Sequence, residues 1–321
     1  MSSGIDVVVT KEIPLNNVTE CIKYADEKYI ELMKQGEYQH ILDDICKFSH
    51  LSLRNIMLVK TQNPNVEMVK NCESWNYSRR QIKEGEKGLK ILLPVFEEKV
   101  LTHEDGRVET QRTSNIAGYK YGYVFDISQT KGEPIKERVV TKENASGIYE
   151  HLKERINNEL LHGFDIEERG QYVDFGMHNM EAANIVINSK LKDEQKIKAL
   201  ISQTCQVLSK FEYRRAVKPG TFYNLEQLEG AGASYIVAKK IGMPYDSIPD
   251  PVKEMRTTKE IQDFKGNIYN MRNNANKVMV CFNEAYRDYE MEKIQQKIEA
   301  QKSIDVFNSN TQSRDYEYEG A

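Results

Sequence analysis

Apolar positions in the first sixty residues recur at three- and four-residue steps. Val18, Ile22, Ala25, Tyr29 and Leu32 define a helix within residues 14–36, with Gly36 as its stop. A second helix is predicted over Tyr38 to Phe48, with Ile41, Leu42 and Ile45 inward. A third runs from Ser52 to Gln62 and ends before Pro64, because the residue preceding a proline is pushed out of the helical region. The period then changes. Short elements surround Trp75, and the run Gly88-Leu-Lys-Ile-Leu-Leu-Pro-Val-Phe reads as a buried strand. Thr102 to Ser114 is polar, with Asp105-Gly106 as a hairpin-turn signal, and Tyr119 to Ile127 reads as another strand. Lys131 to Val140, a charged run holding Gly132 and Pro134, reads as a linker.

Beyond the linker the pattern predicts a helix over Lys142 to Leu161, strands over Gln171 to Phe175 and Ala183 to Asn188, and helices over Asp193 to Phe211 and Leu225 to Ile241. Gly242, with Pro244 behind it, stops the last of these. From Lys259 to Ser303 the chain is helical throughout. Ile268, Met271, Ala275, Val278, Phe282, Ala285 and Tyr289 form a coiled-coil-like seam that fades after Glu292, and either packs on the second domain or joins a partner or second copy. The expected organisation is α+β: a domain over 1–135, a second over 136–250, a helical extension over 251–303 and a disordered tail over 304–321.

With 321 residues, 39% of them apolar, the chain has material for two cores. No stretch approaches the roughly 20 apolar residues of a membrane span, and no basic-then-apolar leader opens it. The five cysteines are odd in number and far apart without a CxxC, which reads as reduced thiols in a cytoplasmic protein. The net charge is −4. A basic excess over the whole chain is absent, so any nucleic-acid footprint has to be local.

One such region exists. Between Ser52 and Lys90 stand eight basic residues (Arg54, Lys60, Lys70, Arg79, Arg80, Lys83, Lys87, Lys90) and four acidic ones, with Trp75 and Tyr77 among them. Single-strand binders combine cations that track phosphates with flat side chains that stack on bases. Tyr119, Tyr121 and Tyr123 alternate, which on a strand puts three phenols on one face. Each feature has a plainer reading: a lone tryptophan is ordinarily a core residue, and alternating tyrosines serve cross-strand packing.

The order of these blocks is more specific than any one of them. Leu51-Ser-Leu-Arg-Asn, Gln62-Asn-Pro, Trp75, Ile82-Lys-Glu-Gly-Glu-Lys-Gly-Leu-Lys-Ile-Leu-Leu-Pro and Val124-Phe-Asp-Ile-Ser-Gln-Thr-Lys-Gly together resemble the N-terminal domain of ArdC-type antirestriction proteins of plasmids and conjugative elements, over about residues 14–135. The resemblance implies single-stranded-DNA binding, with Arg54, Arg79, Arg80, Lys83 and Lys87 toward phosphates and Trp75, Tyr77, Tyr119, Tyr121 and Tyr123 toward bases. It also implies a role in DNA transfer by a mobile element, such as shielding entering strands from restriction enzymes. The Lys83-Glu-Gly-Glu-Lys-Gly segment reads as a tight glycine turn into the strand.

Full-length members of that family carry a zincin-like metallopeptidase domain with His-Glu-x-x-His on a helix, two imidazoles for zinc and a glutamate for the metal-bound water. Here Ala183-Asn-Ile-Val-Ile-Asn-Ser-Lys-Leu and Lys198-Ala-Leu-Ile resemble its strand and helix start, but Ser202 and Gln206 stand for the histidines and Gln203 for the glutamate. Glu229 occupies the third-ligand position and otherwise reads as an ordinary helix-start residue. Serine and glutamine are poor zinc ligands. The expectation is a scaffold without peptidase chemistry, with Cys205 buried beside the ligand face and no cofactor. The six histidines show no ligand spacing, no phosphate-binding loop appears, and Gly230-Ala-Gly-Ala reads as small-residue helix packing. Two rivals remain: a protein-interaction scaffold that does not bind DNA, and a metallopeptidase with unorthodox ligands.

Overall fold

A computed structural model describes residues 16–103, 105, 107–170, 175–213, 225–245, 248, 250–255 and 257–318. The chain divides into two compact units, Met1–Lys136 with Ser247–Tyr269, and Glu137–Asp246 with Asn270–Ala321. The segment expected as a separate extension is therefore shared between them.

In the first unit three helices come first: α1 (Val18–Lys34), α2 (Tyr38–Lys47) and α3 (Leu53–Gln62). Asn17 caps α1 through the Glu20 amide and Ser52 caps α3 through that of Asn55. The face α1 buries is Cys21, Ala25, Tyr29 and Met33, an i, i+4 row that shares Ala25 and Tyr29 with the expected one and leaves Val18, Ile22 and Leu32 half-buried on its flank. β1 (Val69–Lys70) and the short α4 (Cys72–Tyr77) follow, then β2 (Arg80–Ile82). The long β3 (Leu89–Thr102) and β4 (Val108–Asp126) form an antiparallel hairpin, and β5 (Thr130–Gly132) pairs back on β2. The sheet order is β1-β4-β3.

This hairpin is longer than the pattern predicts. Thr102 to Ser114 was expected outside the strands, yet pairing runs out to Thr102 opposite Val108, with irregularities at Val95/Phe96 and Phe96/Glu98. The outer half is exposed on both faces, so it lacks the alternation that marks a half-buried strand. The inner half is held by α3. Asn55 and Gln62 offer their side-chain amides to the main chain of Leu92 and Lys90, as a neighbouring strand would. α8 (Thr258–Asp263) completes the unit against α1, where the Tyr29 hydroxyl donates to the Ile261 carbonyl at 3.1 Å.

In the second unit α5 (Ala145–Arg155) runs into a π turn at Ile156–Leu160. β6 (Asp165–Arg169), β7 (Gly176–Asn179) and β8 (Asn184–Asn188) make a sheet of order β6-β8-β7, with β6 parallel and β7 antiparallel to β8. The strand expected over Gln171 to Phe175 lies largely outside the described residues; β6 and β7 flank it. α6 (Asp193–Tyr213) and α7 (Leu225–Lys240) follow, and Gly242 at φ 75° ends the second as expected. α9 (Lys265–Tyr318) is a helix of 54 residues. It continues through the segment expected to be disordered, which holds no proline or glycine before Gly320 to interrupt it.

Within this unit the α9 seam is buried. Met271 packs on Gly232 of α7, where a Cβ would meet its sulfur at 2.5 Å, and Tyr289 lies on Gly147 of α5. Self-association through residues 268–289 is thereby corrected: Met271, Ala275, Val278, Phe282 and Ala285 already face the interior. Gly230 and Gly232 serve close packing, against Gln206 and Met271. No described helix is long and apolar enough to cross a membrane.

Candidate nucleic-acid interface

The basic-aromatic segment folds around Trp75, which is fully buried. Its Nε1 donates to the Phe125 carbonyl at 2.9 Å. Lys70 and Arg80 stand over its ring, at 5.1 and 5.9 Å from the centroid. The expectation that Trp75 stacks on bases is corrected: the ring is the core of the β1–α4–β2 corner and its faces are occupied by side chains of this chain.

Asp126 organises the other side of that corner. Its Oδ1 accepts from the amides of Glu67 and Met68, and its Oδ2 from the amide and hydroxyl of Ser128. Burial pushes its pKa up, but these donors outweigh that and hold the carboxyl below its ordinary value. Gln129 closes a reciprocal cap onto the Asp126 amide and reaches the Lys87 carbonyl at 2.9 Å. At the far end of the β2–β5 ribbon, Gly132 has φ +146°, and a Cβ there would lie 2.3 Å from the Arg79 carbonyl oxygen.

The cations divide into two groups. Arg54 forks onto Asp26 at 2.8 and 3.0 Å. Lys60 pairs with Asp44, and Lys70 donates to the Ser78 hydroxyl. Arg80 donates to Thr130, to its carbonyl, and to the carbonyls of Gly132 and Glu133, tying the ribbon together. Lys83 donates to the Ser128 carbonyl at 2.7 Å. Arg54, Arg80 and Lys83 thus each make contacts within their own fold; of the three, Lys83 is the exposed one. Arg79 is different: its side chain is 78% exposed and makes one long pair with Glu133, 3.4 Å. Lys87 is exposed on the turn before β3.

The three phenols share a face, opposite Pro94, Leu92 and Lys90. They are not equivalent. Tyr121 is half-buried, its hydroxyl 3.8 Å from the Cys21 sulfur, and burial pushes it up to about 12. Tyr119 is half-buried and near enough to Arg54 to favour its charged form. Tyr123 alone opens to solvent, at 52%. The expected platform of three rings is corrected to one, because α1 and α3 engage the other two. Gly88 crosses Tyr123 so closely that a Cβ would sit 3.0 Å from the tyrosine Cβ, which brings the Lys87 turn beside the ring. Tyr77, at the end of α4, is 81% exposed and two residues from Arg79. An exposed ring and an exposed cation thus stand toward each end of the β2–β5 ribbon, Tyr77 and Arg79 at one and Tyr123 and Lys87 at the other.

In the second unit, Gln203 and Gln206 lie on one side of α6. Gln203 Oε1 is 2.7 Å from His178 Nδ1, and Gln206 donates to the Gln227 carbonyl at 3.1 Å. Glu229 is fully buried, not an exposed helix-start residue, and accepts from Asn270 at 3.1 Å. Cys205 is buried as expected, and burial pushes its thiol up to about 12. The residues do not fit zinc. Ser202, Gln203 and Gln206 bring neutral oxygens and amides, and two of the three are already hydrogen-bonded within the unit. The approach of His178 to Gln203 was not legible, since 25 residues separate them.

No protein-family model matches the chain. It is 23% identical over 340 residues to the uncharacterized protein pXO2-81 of Bacillus anthracis, an alignment covering 92% of this chain and 55% of that protein. The chain thus spans about half the length of this curated relative. Among solved structures it is similar to the antirestriction protein ArdC of plasmid R388. The metal-free form is 14% identical with a TM-score of 0.41, over 74% of this chain and 84% of that one. The Mn(II)-bound form is 11% identical with a TM-score of 0.45, over 83% and 97%.

Proposed function

We propose that the first unit binds single-stranded DNA, with little base preference, through Tyr77 and Arg79 at one end of the ribbon and Tyr123 and Lys87 at the other. The observation that carries this reading is Tyr77, a large aromatic ring left 81% exposed beside an exposed guanidinium. A ring so placed supplies stacking of ~1–3 kcal/mol per base, while the cation takes the adjoining phosphate. The ordered sequence blocks support the same reading and extend it to antirestriction during transfer of a mobile element. The second unit serves as a scaffold without peptidase chemistry, since an amide at position 203 cannot act as a general base.

Fluorescence anisotropy of a labelled single-stranded oligonucleotide across a salt series, with a duplex of the same sequence as control, tests the proposal. Strand-selective binding that weakens with salt is expected. No binding at low salt would sink it. Elemental analysis of the purified protein is expected to give no stoichiometric zinc, and one equivalent would restore the metallopeptidase rival.

A further inference from the structure

The seam of α9 points inward, but the helix carries a second apolar row. From Met291 to Ile304 every residue is exposed, and Met291, Ile294 and Ile298 are spaced i, i+3, i+7. At about 100° per residue these three lie roughly 140–200° round the axis from Tyr289, the last residue of the seam. Val280, also exposed, falls on the same outward line. The seam up to Tyr289 is thus spent on its own unit, and beyond it the outward line, charged at Glu284 and Arg287, becomes a short apolar row in water. A lone helix of this length gains little stability from propensity alone.

We propose that this outward face pairs with the same face of a second copy, antiparallel, about a two-fold axis between Glu292 and Lys293. The flanking charges select this occupant and this direction. Glu290 and Lys297 border the row on one side, seven residues apart, and Gln295 and Lys302 border it on the other. In the antiparallel arrangement like flanks meet, so Glu290 falls opposite the partner's Lys297 and Lys297 opposite the partner's Glu290. Met291 then layers with the partner's Ile294, and Ile298 with the stem of the partner's Arg287, whose guanidinium reaches solvent. A shift of one heptad either way sets Glu290 against itself or Lys297 against itself. A parallel pair sets Lys297 against the partner's Lys302. Only one register brings opposite charges together.

Light scattering of the full chain over a concentration series, with variants, tests this. A dimer is expected, and Lys297→Glu or Glu290→Lys should each raise its dissociation constant about tenfold, ~1.4 kcal/mol. The double variant exchanges the signs and should restore the dimer. A monomer at every concentration, a dimer indifferent to both single variants, or loss without rescue in the double variant would each overturn the proposal.

Discussion

The side-chain amide of Asn55 makes two hydrogen bonds to one residue, Leu92: its Oδ1 accepts from the Leu92 amide at 2.8 Å and its Nδ2 donates to the Leu92 carbonyl at 2.9 Å. Gln62, two turns further along α3, does the same for Lys90, at 2.8 Å in both directions. A helix thus stands in for the missing outer strand. Asn55→Ala leaves a buried donor and a buried acceptor unpaired and should destabilise the first unit by about 3 kcal/mol. Gln62→Ala, in a more open position, should cost about 1 kcal/mol. Urea denaturation followed by circular dichroism gives both values, and equal small losses would mean that water replaces the amides.

Two glycines of the ribbon region predict contrasting outcomes. Gly132→Ala puts a Cβ 2.3 Å from a backbone oxygen at φ +146°, so the ribbon has to open, at about 3 kcal/mol. Gly85→Ala has the same kind of strained φ, +81°, with nothing within 4 Å, and should cost only about 1 kcal/mol. The difference in thermal midpoint between the two variants checks this.

For DNA binding, Tyr77→Ala and Tyr123→Ala should each weaken the single strand by about 1–3 kcal/mol without lowering the melting temperature. Arg79→Ala should flatten the salt dependence by about one phosphate. Trp75→Ala should behave otherwise, losing about 3–5 kcal/mol of stability through the cavity it leaves. If Trp75→Phe folds normally and loses binding, the assignment of Trp75 to the core alone is wrong.

The contrast shows what was legible. The blocks that stand out in the sequence, Asn55, Gln62, Trp75, Gly85 and Val124 to Gly132, are mostly residues that build the corner and close the sheet edge. They mark the fold, and they drew the expected contact surface toward Trp75 and Arg80, which are internal. The helices were readable because their buried rows repeat; α6 and α7 fall within two residues of expectation at each end. The outer hairpin was not, because a strand exposed on both faces has no period. Glu229 was misread for a related reason: its burial depends on α9, about 40 residues away, where Asn270 meets it.

Asp126 gives the pH dependence. Its pKa is lowered in the folded chain from the ordinary 3.8, so its contribution is fully present above that value and fades as pH falls through the lowered one. Below pH ~4 the Ser128–Gln129 turn should loosen first. Asp126→Asn should remove this acid-dependent part, and a denaturation series from neutral to acidic pH would reveal it as a flatter profile than that of the unaltered protein.

The edge of β3 changes character at Pro94. Below it, the amides of Asn55 and Gln62 occupy the main-chain groups that would otherwise template a stray strand. At Pro94 itself there is no N–H to offer, and just above it the pairing slips at Phe96 while Glu97, Glu98 and Lys99 place charge along the rim. A ribbon that projects into water with Val95, Val100 and Leu101 exposed would otherwise invite edge-to-edge aggregation. Removing the proline and the charges together should therefore cost solubility before it costs folding.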